Sequence, residues 1–232
     1  MVDLNAEMAE LWASLGASAP GRARTVQLVS ARRGEGASTV ARELARYVAA
    51  SGRTVWLIDL DLLASPQHAI LGADPSRYGV MGEPTAATPD GSVFFTVQPG
   101  GRTSDGRPWP DGAYLNAHRV GRANLWVTRF RRDLLRAGQT VHVVQSPRYW
   151  ESLRRHVEVV IVDAPSADRS QAAITLAPFM DQTVLVVAAD EADVRAPALL
   201  RDAIGGAGGT VAGLFFNRMT LGPPPFLKGI LP

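Results

Sequence analysis

The run Ser30-Ala31-Arg32-Arg33-Gly34-Glu35-Gly36-Ala37-Ser38-Thr39 has the residue types of a phosphate-binding loop with its lysine missing. In such a loop, glycines let backbone N–H groups wrap a phosphate. A lysine reaches the β- and γ-phosphates, and the next Ser or Thr hydroxyl holds Mg²⁺. The junction here reads Gly36-Ala37-Ser38 where the pattern asks for Gly-Lys-Ser/Thr. Gly34, Gly36, Ser38 and Thr39 offer the cradle and the hydroxyl, and Ala37 stands where the ammonium group would be.

Three carboxylates can be set beside that loop. Asp59 and Asp61 end one strand-like run and Asp163 ends another. A lone Asp at a strand end is an ordinary turn former or helix cap. In an open α/β sheet, however, ligands sit at the carboxyl ends of the strands. There the three acids could orient Mg²⁺ and its waters, with Ser38 and the carboxylates of Asp59 and Asp163 as the metal set and Asp61 in a catalytic position.

The loop needs a strand before it and a helix after it, and the pattern supplies both. Residues 25–29 read as a strand and Val40 to Ala50 as a helix, stopped near Ser51-Gly52. Further continuous apolar runs fall at 54–59, 157–163, 183–189 and 211–217, with helical segments at 147–156 and 194–204. Continuous runs alternating with helices predict a doubly wound α/β fold, a mostly parallel sheet covered on both faces. Residues 4–15 form an amphipathic helix pattern with Leu4, Met8, Leu11, Trp12 and Leu15 on one face, and residues 18–24 read as a linker. Residues 72–118 are rich in Gly and Pro and weakly periodic, with a strand candidate at 93–97 and a mobile loop expected at 99–112; a further short strand is expected at 125–127. The division is therefore a helix and linker over 1–24, one nucleotide-binding-type domain over 25–219 with a loop region at 72–118, and an irregular Pro-rich tail over 220–232.

At 232 residues with 46% apolar content, the chain can bury a substantial core. No apolar run reaches the ~18 residues of a membrane span. The start, Met1 to Glu7, lacks the features of a secretory signal, and there is no cysteine. A cytoplasmic location is expected, and thiolate metal sites are excluded. The net charge of +2 is uneven: residues 119–155 hold nine Arg against two acids. The only lysine is Lys228, so no lysine in the domain can stand in for the missing one.

Taken together, the motifs resemble the deviant-Walker P-loop ATPases, a group that includes partition and septum-placement ATPases. The closest branch is the cytoplasmic domain of bacterial tyrosine kinases of capsule and exopolysaccharide synthesis. That pattern is Pro-Gly-Glu-Gly-Lys-Ser-Thr, and Arg33-Gly34-Glu35-Gly36-Ala37-Ser38-Thr39 matches five of its seven positions. Leu57 to Asp61 matches the strand ending Asp-x-Asp, Val160 to Pro165 the strand ending Asp-x-Pro, and Phe216-Asn217 the adenine-side asparagine. Ala172 to Val187, with Asp181 before the strand, resembles a further stretch, so the likeness spans about residues 4–64 and 155–219. It implies ATP or ADP with Mg²⁺ as ligand and an inner-membrane polysaccharide chain-length or export protein as partner. It also implies a place in the cytoplasm at the inner membrane, and self-association.

The departures point to a catalytically degenerate, regulatory or scaffold protein. Ala37 replaces the catalytic lysine, and the tyrosines are Tyr47, Tyr78, Tyr114 and Tyr149, with none in a C-terminal cluster. The alternatives are an active ATPase using Arg32 or Arg33 in place of lysine, and a partition or septum-placement ATPase. The N-terminal helix resembles the ring-forming helix of the group but lacks its arginines, so an identical ring is not implied.

The basic segment interleaves its arginines with Trp126, Phe130, Tyr149 and Trp150. It reads either as a solvated face with ordinary core aromatics or as a docking surface, for an acidic partner loop or anionic lipid in preference to nucleic acid. His68, His118, His142 and His156 lack ligand spacing. Pro223 to Phe226 is a disordered end or a short docking element.

Overall fold

A computed structural model describes residues 4–17, 21–190 and 193–218. The tail at 220–232, with Pro223 to Phe226, and part of the 18–24 linker lie outside the described residues. The strands are β1 (Arg24–Ser30), β2 (Val55–Asp59), β3 (Met81–Ala86), β4 (Phe95–Gln98), β5 (Leu115–Val120), β6 (Leu125–Phe130), β7 (Thr140–Val143), β8 (Val159–Asp163), β9 (Gln182–Ala188) and β10 (Val211–Asn217). The helices are α1 (Asn5–Ser14), α2 (Ala37–Ala50), α3 (Pro66–Ala73), α4 (Pro75–Tyr78), α5 (Pro147–Arg154), α6 (Ala172–Leu176) and α7 (Arg195–Gly206).

Eight strands form one sheet in the order β10-β9-β1-β8-β2-β6-β5-β3. From β10 through β6 the pairing is parallel, and β5 and β3 add an antiparallel edge. β4 and β7 form a separate antiparallel pair. Alternation along the central strands explains the two-sided cover. In β8, Val159 and Ile161 enter the core beneath α1 and α2, while Val160 and Val162 enter the opposite core with Trp150, Leu153 and Leu200. Side chains on a strand point alternately to opposite faces, so a run buried on both sides reads as continuously apolar. The doubly wound, mostly parallel sheet expected from sequence is the one observed.

Residues 72–118 hold more regular structure than the expected loop region, namely α4, β3, β4 and β5. β3 is an exposed edge strand containing Gly82 and Pro84, so it carries no alternation to detect. Proline is tolerated there because an edge strand has a side with no ladder to donate to. Residues 99–112 remain a loop apart from a single bridge between Arg102 and Pro108 and the start of a 3-10 turn at Asp111.

The basic segment does not form one surface. Arg119 bonds back to its own turn at Arg122 and Ala123, Arg131 pairs with Asp133, Arg148 pairs with Asp90, and Arg154 reaches the Phe179 carbonyl. Its aromatics are structural: Phe130, Tyr149 and Trp150 are core residues, and Trp126 stacks on Trp56 at 5.5 Å. No described helix is long and apolar enough to cross a membrane.

Candidate functional site

β1 delivers the chain to the carboxyl end of the sheet at Ser30, and α2 begins at Ala37. The turn between them is made by Gly34 at φ 94° and Gly36 at φ 97°, the left-handed region that glycine enters freely. The N–H groups of Gly34, Gly36, Ala37 and Ser38 meet no acceptor among the described residues. The first N–H groups of a helix have no partner within it and carry the positive end of its dipole, so this row is an anion cradle.

Other groups fix the loop from outside. The Glu35 carboxylate is buried and accepts the Arg32 N–H at 2.7 Å, and Asp168 accepts the Arg33 N–H at 3.2 Å. The Asn217 amide donates to the Glu35 carbonyl at 2.9 Å, while its oxygen accepts the Arg218 N–H at 3.0 Å. Asn217 therefore braces the loop from the end of β10 with both ends of its amide engaged.

The acids meet at the ends of two neighbouring strands. Asp59 and Asp163 are opposite one another in the β2–β8 register. Asp163 accepts the Ser38 hydroxyl at 3.0 Å and the Gln67 amide at 2.6 Å. The same amide nitrogen donates to the Ser38 carbonyl at 2.7 Å, and Arg42 reaches the Gln67 carbonyl oxygen at 3.3 Å. Asp59 accepts the backbone N–H groups of Asp61 at 3.0 Å and Gln67 at 2.9 Å. Burial pushes the Asp163 carboxyl up to about 6 against the bonds from Gln67 and Ser38. Asp59 is pushed well above the ordinary carboxylate range by burial and by the Asp163 charge.

A cavity of about 400 Å³ opens over this arrangement. Arg33, Gly34, Gly36, Ala37, Ser38 and Thr39 line it from the loop, Asp61 and Asp163 from the strand ends, and Asn217 and Arg218 from the last strand. Glu35 and Asp59 do not line it; their carboxylates are turned into the backbone. Arg32 does not line it either and is ion-paired with Asp193. Arg169 does, and it pairs with Asp61 at 3.1 Å. Arg169 and Gln67 are absent from the sequence-derived set. The signal for Arg169 was its place four residues after Pro165, in the turn that follows the Asp-x-Pro strand end. Gln67 had only its polarity, beside His68 in the short helix Pro66–Ala73, to mark it.

No protein-family model and no curated protein matches the chain. Solved structures match over most of its length. The chimerical protein CapA2B2 is 18% identical with a TM-score of 0.57, over 93% of this chain and 81% of that one. The kinase domain of the Escherichia coli tyrosine kinase ETK is 15% identical with a TM-score of 0.54, over 95% and 79%. The cell division ATPase MinD of Pyrococcus furiosus is 16% identical with a TM-score of 0.51, over 89% and 78%. At such identities the likeness is one of fold. This chain has the fold of the bacterial tyrosine kinase domains and the MinD-type P-loop ATPases, the group its motifs resemble.

Proposed function

We propose that this protein is a catalytically degenerate, tyrosine-kinase-like P-loop protein that binds the phosphates of ADP or ATP and acts as a regulatory or scaffold component of exopolysaccharide assembly. The observation that carries the reading is the row of unpartnered N–H groups at Gly34, Gly36, Ala37 and Ser38, present in a loop whose lysine position is alanine. A backbone cradle at a helix start binds an anion without a lysine. What it lacks is the point charge that favours a γ-phosphate and its transfer.

The donor set fits Mg²⁺. Ser38 gives its proton to Asp163, which leaves the hydroxyl lone pairs for a cation, with Asp163 behind it. Asp61 faces the same cavity as the catalytic remnant, whereas Asp59 serves the fold of the β2 end through its two backbone bonds. Asn217 lines the same cavity, and by the resemblance it would stand on the adenine side of a bound nucleotide. By likeness to kinase domains, the partner would be a membrane-embedded chain-length or export protein, engaged from the cytoplasmic side of the inner membrane. Self-association belongs to the same reading.

Calorimetric titration with ADP and ATP, with and without Mg²⁺, tests this. Weak binding with little preference for ATP is expected. Low-micromolar Mg-ATP binding with turnover would replace it with the active-ATPase reading, for which the favouring observation is the presence of Arg33 and Arg169 in the cavity. Arg32 is committed to Asp193 and is the weaker substitute.

A further inference from the structure

A cavity of about 960 Å³ lies at the opposite end of the sheet from the phosphate loop. Arg24 opens β1 and Ser30 closes it, so the two ends are separated by about 20 Å at the rise of a strand. The cavity is lined by Arg22, Arg24, Arg53, Arg154 and Arg155, with Trp12 on its α1 side. Glu151 and Glu158 also line it.

The charges do not balance. Glu158 is 3.8 Å from Arg53. Asp181, at the margin, is shared by Arg22 at 3.0 Å and Arg154 at 3.6 Å, and also accepts the Thr25 N–H at 2.7 Å. Arg24 has no carboxylate within ion-pair distance among the described residues. Arg24 is 6% exposed; its guanidinium lies 5.1 Å from the Trp12 ring and donates to the Leu15 carbonyl at 3.1 Å, but its Nη1 has no partner among the described residues. Burial lowers its pKa, only partly offset by Asp181. A buried guanidinium without a counter-ion is costly. The C-terminus of α5 accounts for Arg154 and Arg155 through the helix dipole, but Arg24 sits at the start of a strand, where there is no such dipole. A water between Arg24 and the unpartnered Gln182 oxygen, which borders the adjoining cavity, would satisfy hydrogen bonds and leave the charge standing.

The geometry points to a second anion site here, formed by Arg22, Arg24 and Arg155 against Trp12, that takes a phosphorylated small molecule. Guanidinium forks match phosphate oxygens in pairs. The cavity exceeds the size of a bare phosphate, so the group is carried on a larger body.

Pyrophosphate is the probe, titrated into the isotope-labelled full chain at constant ionic strength and followed by NMR, which separates this site from the loop. Saturable shifts are expected at the Trp12 indole N–H and the Arg24 Nε–H. Their apparent affinity should fall at least tenfold in the double variant Arg22→Ala/Arg155→Ala, with the Gly34 and Gly36 amides responding as in wild type. Shifts confined to the loop, or basal shifts that chloride reproduces, would overturn the site. Arg24→Met keeps the bulk and removes the charge. It should abolish the pyrophosphate response at Trp12, and a retained response would overturn the assignment.

Discussion

The amide nitrogen of Asn217 lies where a side chain on Gly36 would have to be: a Cβ there would come within 2.1 Å of it. The last parallel strand is thus locked onto the phosphate loop, although β9 separates it from β1. Gly36 is required twice, by this contact and by its φ of 97°. Gly34 shares the positive φ, at 94°, but has open space around it.

Gly36→Ala should therefore cost more than Gly34→Ala. The backbone penalty alone is about 1 kcal/mol at either site. At Gly36 the displaced Asn217 adds its lost bonds, for a total of about 2–3 kcal/mol. Asn217→Ala in the Gly36→Ala background should recover part of the difference. Urea denaturation of the variants measures this, and equal costs at the two glycines would refute the bracing role.

The facing acids set a pH dependence. Burial holds the Asp163 carboxyl up at about 6 in the fold against an ordinary 3.8. A carboxyl raised on folding contributes stability when protonated, fully below its unfolded value, and loses it as pH rises through the folded value. The loss by pH 7.5 is on the order of 3 kcal/mol for this group. Asp163→Asn should gain stability relative to wild type at pH 7.5 and lose that advantage near pH 4.5. Melting temperatures across this window test the sign, and a difference that is flat with pH would rule out a raised Asp163 carboxyl.

Phosphotyrosine should not form on incubation with Mg-ATP. The loop has no lysine to clamp the transferred phosphoryl group, and three of the four tyrosines are poor acceptors. Tyr149 is fully buried with an unpartnered hydroxyl, Tyr114 is a core residue, and Tyr78 donates to Glu43 at 3.1 Å. Intact-mass and phosphopeptide spectra would detect labelling, and stoichiometric modification of any tyrosine would contradict the degenerate reading.

The sheet was legible because its central strands are buried on both faces, and such strands announce themselves as Val- and Ile-rich runs. β3 was not, since an exposed edge strand with Gly82 and Pro84 has no periodic signature. The loop, Asp61 and Asp163 could be placed because each is tied to an element end. Arg169 and Gln67 could not, because their roles depend on how a turn and a short helix fold back over those ends, which no spacing encodes. Spacing could not place the charge run at 119–155 for the same reason: β5, β6 and α5 carry its arginines to different sides of the molecule.

Within that run, Arg131 and Arg132 are the accessible test of partner docking. Arg131 pairs only with its neighbour Asp133, at 2.8 Å, and both are solvent-facing. Reversing both charges to Glu should change stability by less than about 1 kcal/mol, as exposed pairs contribute little. Association with an acidic partner or with anionic vesicles should weaken. A large drop in melting temperature would make these arginines structural and remove the docking idea.

Restoring the lysine is the sharpest test of the phosphate site. Ala37 is 5% exposed and lines the cavity, so the stem of a lysine there would leave the core and reach toward the cradle. The missing ammonium acts on the β- and γ-phosphates, so Ala37→Lys should tighten ATP more than ADP. A tenfold gain in that ratio, about 1.4 kcal/mol, is expected where Ser38 and Asp163 still accommodate Mg²⁺. Arg169 bears on the size of the gain. If its guanidinium leaves Asp61 for the phosphates when nucleotide binds, part of the lost charge is already supplied, and Arg169→Ala should weaken ATP in wild type but less in Ala37→Lys. Titration of the four proteins with both nucleotides separates these effects. No gain from the lysine, with ATP and ADP still equal, would mean that the site departs from a nucleotide-using one at more than this residue and that the domain acts as a scaffold.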